Sequence, residues 1–195
     1  MGHTLSTPGG GLEELLAFLR AEAGAGRAVP PVERWNPEFC GVGGFEILRD
    51  GSWRHEGVRI TREALVRLFA TILRKEADGR TFLVTPGEKI LVEVEDAPFL
   101  GIRLDRVGEG RGAAIVATTN VGDVVTLGPE HPLRVAVDSK GAPRPYVLVR
   151  GRLEARILRA PFYELVEWAE ERQGRLGVWS GGAWFDLGDP SGEQA

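Results

Sequence analysis

The stretch GVRITREALVRLFATILRKEADGRTFLVTPGEKILVEV, Gly57 to Val94, reads as a strand end, a helix and a tight hairpin. A second stretch, GRLEARILRAPFYELVEWAEERQGRLGVWSGGAWFDL, Gly151 to Leu187, reads in the same order. Leu65, Leu68, Phe69 and Ile72 recur at helical spacing in the first, and fall opposite Phe162, Leu165, Val166 and Ala169 in the second. The loop glycines Gly79 and Gly174 follow, then paired strands around Thr85-Pro86-Gly87 and Ser180-Gly181-Gly182. Few identities survive but the periodicities agree, which predicts a divergent duplication of one small unit. Duplicated units create an interface, and such interfaces are favoured places for ligands.

Outward from the first stretch, Thr61 is a good N-cap for a helix from Arg62 to about Glu76, with Glu63 in its first turn. Upstream, Phe45 to Leu48 and the run from Trp53 flank Asp50-Gly51, a strong hairpin signal because both turn positions need positive φ. Pro30, Pro31 and Pro37 favour an extended arm anchored by Trp35. Before the arm, Leu12, Leu15, Leu16 and Leu19 predict a short amphipathic helix after a flexible start. Between the two stretches the chain is almost all strand: Phe99 to Val107, Ala113 to Thr118, Val124 to Leu127, Leu133 to Val137, Tyr146 to Arg150 and Leu153 to Leu158. Pro161 sits early in the last helix, where its missing donor costs little. The final hairpin pairs Leu176 to Trp179 with Trp184 to Leu187.

The expected fold is α+β, with two similar units, each a curved antiparallel sheet covered by a helix. Residues 1–29 form the flexible start and added helix, 30–98 the first unit, 99–188 the second, and 189–195 a polar tail.

Composition bounds the function. The chain has 195 residues, 43% hydrophobic and 27% charged, as expected of a soluble globular protein. A net charge of -4 argues against a general nucleic-acid surface, while leaving room for a local arginine pocket. Cys40 is the only cysteine, so no internal disulfide and no cysteine zinc cage can form, which suits a reducing cytoplasm. No run reaches the roughly 18 apolar residues needed to span a bilayer. Gly2 and Ser6 match a myristoylation pattern, but nothing polybasic follows to assist an anchor.

An ordered set of motifs carries a resemblance. Pro30-Pro31-Val32-Glu33-Arg34-Trp35-Asn36-Pro37, Asp50-Gly51-Ser52-Trp53 and Leu65-Val66-Arg67-Leu68-Phe69 come first. Leu83-Val84-Thr85-Pro86, Val94-Glu95-Asp96-Ala97-Pro98-Phe99, His131-Pro132-Leu133-Arg134-Val135 and Gly177-Val178-Trp179-Ser180-Gly181-Gly182 follow. Together, from Pro30 to Gly188, they resemble the bacterial domain-of-unknown-function family 1285. The chain departs from that family at Val42, where an Asp usually follows the Cys-Gly pair, and at Gly87, where an apolar residue usually follows Pro86. The resemblance implies a duplicated α+β fold, a C-terminal half superficially like a pleckstrin-homology barrel, and a role in signalling. It implies no established enzyme.

Candidate chemistry is sparse. Gly41-Val42-Gly43-Gly44 lacks the following helix that a phosphate-cradling loop requires, and reads as a bend or bulge. Gly108 to Gly112 lies between strands and reads as a hairpin tip. Cys40 and His55 invite a nucleophile reading, against which stands a buried Cys40 and a strand histidine with no visible oxyanion site. His3, His55 and His131 are too dispersed for a metal motif. Glu93 and Glu95, beside Asp96, share one strand face and need no more than solvent to explain them. No catalytic residue, cofactor or metal site is expected.

Arginine is the exception. Arg134, Arg144, Arg150, Arg152, Arg156 and Arg159 form a local excess, and guanidinium groups hold phosphate bidentately while staying charged. Glu154 opposes this by neutralising its neighbours. Tyr146 or Trp179 would supply an aromatic surface beside the arginines. The reading is a non-enzymatic binding or sensory module that holds a small anionic or nucleotide-like ligand between the units. Its candidate residues are Arg134, Tyr146, Arg150 and Trp179. The alternative is a protein-interaction module that uses a sheet edge or the pleckstrin-like half. A hydrolase whose carboxylates converge only in three dimensions is a third.

Overall fold

The computed structural model describes residues 30–188, so the expected N-terminal helix and polar tail lie outside the described residues. The chain divides into two compact units, one holding the described residues up to Glu46 with Trp53–Glu93, the other Ile47–Ser52 with the residues from Val94 on.

The first unit is built on a six-stranded sheet. In chain order its strands are β1 (Phe39–Ile47), β2 (Trp53–His55), β3 (Val58–Arg59), β4 (Leu73–Lys75), β5 (Thr81–Val84) and β6 (Lys89–Val94), and across the sheet they run β3-β2-β1-β6-β5-β4. Helix α1 (Glu63–Thr71) intervenes between β3 and β4. Its Phe69 is fully buried, edge-on to Phe45 at 5.4 Å and stacked on Trp53 at 6.1 Å. The helix is shorter than its periodicity predicts. Thr71 turns its hydroxyl back to the Leu68 carbonyl, and the chain then enters β4, which pairs with β5. Arg62 rather than Thr61 is the N-cap.

Arg74 explains why β4 must be a strand. It is buried, and Nη1 donates to the carbonyls of Val32 (2.9 Å) and Trp35 (2.6 Å) while Nη2 donates to Glu76 (2.8 Å). Burial pushes the Glu76 carboxyl up, but hydrogen bonds from Arg74 and Lys89 outweigh it and leave the pKa lowered. The proline-rich arm is therefore held by buried Val32 and Arg74 more than by half-buried Trp35, and Val32–Arg34 form a single 3-10 turn instead of an extended run.

The second unit carries β7 (Phe99–Val107), β8 (Ala114–Thr119), β9 (Val124–Thr126), β10 (Leu133–Val137), β11 (Pro143–Arg150) and β12 (Leu153–Ile157) in the order β10-β11-β12-β7-β8-β9. Strict alternation of buried and half-buried residues along β8 and β12 gives the sheet one core face, filled by Phe99, Ile115, Val147, Ala155 and Ile157. This sheet is mixed, not antiparallel as expected, because β12 lies parallel to β7 with Ile157 opposite Gly101. A Cβ at Gly101 would stand 3.2 Å from Ile157, so glycine permits that approach.

Helix α2 (Arg159–Glu167) follows and packs on β7. A separate antiparallel meander completes the unit: β13 (Glu170–Arg172), β14 (Arg175–Ser180) and β15 (Ala183–Gly188). Gly177 lies where any Cβ would collide with Trp184. Buried Ser180 ties the meander to the larger sheet, its Oγ accepting from the Ile115 amide at 2.8 Å and donating to the Leu127 carbonyl at 2.7 Å.

The repeated order is visible element by element. Each unit has a strand, a nine-residue helix, a three-residue strand and then two longer strands in an antiparallel meander. The matched helix stripes differ in detail. Leu68 is half-buried and Val166 exposed, while Phe69 and Leu165 are fully buried, and Ala169 falls past the helix end.

Candidate functional site

Strand register builds a polar cluster on one face of the second unit's sheet. Arg134 on β10 pairs with Tyr146 on β11, which pairs with Arg156 on β12, so the three side chains form one row. Arg144, two residues before Tyr146, shares that face, as does Glu154. The Arg134 guanidinium lies 4.1 Å above the Tyr146 ring and holds Glu154 through two bonds of 2.7 Å.

Asp96, from the segment before β7, sits beneath this row with only 10% of its side chain exposed. Its Oδ1 accepts the Tyr146 hydroxyl at 2.7 Å, and its Oδ2 lies 3.0 Å from Arg156 Nε and 3.8 Å from Arg144 Nη1. Burial, and then the bond to Asp96, push the Tyr146 phenol above its usual range. Arg156 Nη2 also donates to the Arg49 carbonyl at 2.9 Å. Arg144 reaches Asp138 at 3.3 Å. The amides of Ala142 and Lys140 hold the Asp138 carboxyl below the ordinary carboxylate range, and Arg144 adds to the effect.

Beside this cluster is a pocket of about 320 Å³, within the size range of small-molecule sites. Four arginines line it: Arg49, Arg144, Arg156 and Arg159. Asp138 is the single carboxylate in the lining, and Pro143, Pro145, Phe162 and Tyr163 supply apolar wall. Arg159 opens α2, with Nε donating to the Tyr163 hydroxyl at 2.8 Å and the guanidinium 5.3 Å from that ring. Among the described residues, Arg49 and Arg159 form no ion pair, whereas Arg144 and Arg156 are braced on Asp96.

A larger cleft of about 440 Å³ lies between β10 and β15, lined by Arg134, Arg175, Trp184 and Asp186 among others. Its charges cancel locally: Arg134 is paired with Glu154, and Arg175 with Asp186 at 2.7 Å. Volume favours this cleft and charge favours the smaller pocket. For an anion, charge decides.

The four sequence-derived candidates separate. Arg134 and Tyr146 are brought together, the former at the mouth of the larger cleft. Arg150 instead pairs with Asp123 and stacks 4.9 Å over Phe99. Trp179 packs edge-on against Trp184 at 5.3 Å, flanked by the guanidiniums of Arg111 and Arg172. Arg144, Arg156 and Arg159 belonged to the arginine excess read from the sequence, but Arg49, Asp96 and Tyr163 carried no signal of convergence.

Cys40 is exposed, with Sγ against the Glu38 carbonyl, and His55 packs on Phe45 at 4.5 Å. The expectation of a buried Cys40 fails because the start of β1 is exposed through Cys40. Gly41 and Gly44 within β1 have φ of 107° and 66°, the irregular backbone their spacing predicts. Gly110–Gly112 form a 3-10 turn between β7 and β8. No group of three or more His, Cys, Asp or Glu residues is placed to hold a metal ion among the described residues. No helix among them is long and apolar enough to cross a membrane.

Two family models match the chain. Residues 30–97 match the model of the N-terminal domain of unknown function DUF1285, and residues 98–187 match that of the DUF1285 C-terminal domain. A DUF1285 family crystal structure from Silicibacter pomeroyi DSS-3 is 42% identical, with a TM-score of 0.83, covering 91% of this chain and 96% of that one. Another, from Shewanella baltica OS155, is 27% identical with a TM-score of 0.51, covering 65% and 92%. No curated protein matches the chain.

Proposed function

This chain belongs to the DUF1285 family, and from the chemistry of its second unit we propose that it is a non-enzymatic binding or sensory module for a small anionic ligand. One observation carries the reading: four arginines and one carboxylate residue line a single pocket. Arginine stays charged at any physiological pH and forks onto oxyanions, so such a lining selects anions. The residues assigned to the ligand are Arg49, Arg144, Arg156 and Arg159. Arg134 and Tyr146 act behind them, through the shared Asp96. A bacterial signalling role, exercised from the cytoplasm through a helix-covered, pleckstrin-like second half, is consistent with a module that reports on a ligand instead of transforming it.

Thermal denaturation with inorganic phosphate tests this. A ligand at about 100 times its dissociation constant adds roughly 2.7 kcal/mol of stability. The melting temperature of the wild-type chain should rise, most strongly at low salt because the exposed part of the pocket is screened by ions. The Arg49→Gln/Arg159→Gln double variant should show little rise. An equal rise in both would place the anion elsewhere.

A second reading, a protein-interaction module, rests on the larger cleft. β10 and β15 each end their sheets, so an extended peptide can pair with either edge there. Proline at Val135, in β10, would block such pairing and leave anion binding intact.

A further inference from the structure

The lining of the arginine pocket narrows the ligand beyond its sign. Arg49, Arg144, Arg156 and Arg159 stand against Asp138 in the wall, Asp96 behind it, and Glu95, which accepts from the Arg49 amide at 2.8 Å, so positive charge exceeds negative. A monocarboxylate offers only two oxygens, which a single planar guanidinium fork saturates. A phosphate monoester carries about −1.5 to −2 at pH 7 and offers three terminal oxygens.

The two arginines without an ion pair among the described residues also come from different elements. Arg49 sits in the turn after β1 and Arg159 at the first position of α2, whose first turn contains no acidic residue and no side-chain cap. Two forks on separate supports can each take one edge of a tetrahedral group. The rest of the lining is apolar. Pro145 and Phe162 are buried, and Tyr163 keeps 51% of its surface exposed beside Arg159. Proline and aromatic rings at the wall of a site suit a flat apolar body attached to the charged end.

Resting on the anion-binding reading above, we propose that the pocket takes a phosphate monoester of a planar apolar group. Arg49 and Arg159 hold the phosphate, and Tyr163 packs on the ring. No bond is made or broken in this step; it is recognition alone.

Isothermal titration of the full chain with phenyl phosphate, inorganic phosphate and benzoate tests the assignment. Phenyl phosphate should bind at least about tenfold more tightly than either of the others, a difference of roughly 1.4 kcal/mol. Tyr163→Ala, at an exposed position, should erase the preference for phenyl phosphate over inorganic phosphate, read as the ratio of the two affinities in the same variant. Tyr163→Phe should keep the preference. Benzoate binding as tightly as phenyl phosphate would overturn the monoester assignment and leave the anion reading standing. Equal affinity for phosphate and phenyl phosphate would overturn the planar body. Absence of binding by all three would overturn both this proposal and the anion reading.

Discussion

Tyr146 donates its hydroxyl to Asp96 across 2.7 Å, joining β11 to the segment that leads into β7. The phenol is buried, and burial together with the neighbouring carboxylate raises its pKa above the ordinary 10.0. The unfolded chain therefore loses this proton first as pH rises. The contribution to stability is full below about pH 10 and is lost as pH climbs through the folded value. Urea denaturation at about pH 8 and again above pH 10 should show the wild-type chain losing more stability than Tyr146→Phe over that interval. Parallel losses in the two proteins would contradict the bond.

Asp96 has a larger role than its single bond to Tyr146. It faces two half-buried guanidiniums as well, and removing it takes a carboxylate from three groups at once. Asp96→Ala should destabilise by about 3 kcal/mol, in the range expected when one member of a largely buried ion pair is deleted. Asp96→Asn retains an acceptor for Tyr146 and should cost less. Chemical denaturation distinguishes the two, and a loss near zero for Asp96→Ala would remove the cluster from the account.

The helix stripes divide into deep and shallow positions. Phe69 and Leu165 have no exposed surface, so Phe69→Ala should cost about 3–5 kcal/mol and Leu165→Ala about 2–5 kcal/mol. Leu68→Ala and Val166→Ala should each cost less, because those side chains are half-buried and exposed respectively. If Leu68→Ala proved as damaging as Phe69→Ala, the orientation of α1 would be wrong.

Ser180 provides a test of how the meander is fastened. Its hydroxyl satisfies a buried amide and a buried carbonyl of the larger sheet. Ser180→Ala leaves both without that partner, and each stranded group costs roughly 1–3 kcal/mol. Hydrogen exchange should then accelerate at the Ile115 amide specifically. An unchanged rate there would show that the bond carries no weight.

The repeat was legible because helical spacing, loop glycines and turn residues recur in one order, and that order depends only on local chemistry. The same local chemistry makes Leu73 to Lys75 read as helix. Its periodicity continues the helical one, and only pairing with β5 and the reach of Arg74 to the Val32 carbonyl make it a strand. The parallel contact of β12 with β7 joins residues more than fifty positions apart, so no local signal records it. The site follows the same division. The arginine excess was visible, and alternation alone places Arg144 and Tyr146 on one face. The convergence of Arg49 and Asp96 on Arg156 depends on the fold. Arg150 and Trp179 stand out in the sequence by residue type alone, and their partners, Asp123 and Trp184, are set by strand register and turn geometry.

The most direct measurement is a crystal structure of the chain grown with phenyl phosphate. Phosphate oxygens should lie within hydrogen-bond distance of both Arg49 and Arg159, with the ring against Tyr163. Phenyl phosphate seated beside Trp184 in the larger cleft, or an empty arginine pocket at saturating ligand, would contradict it.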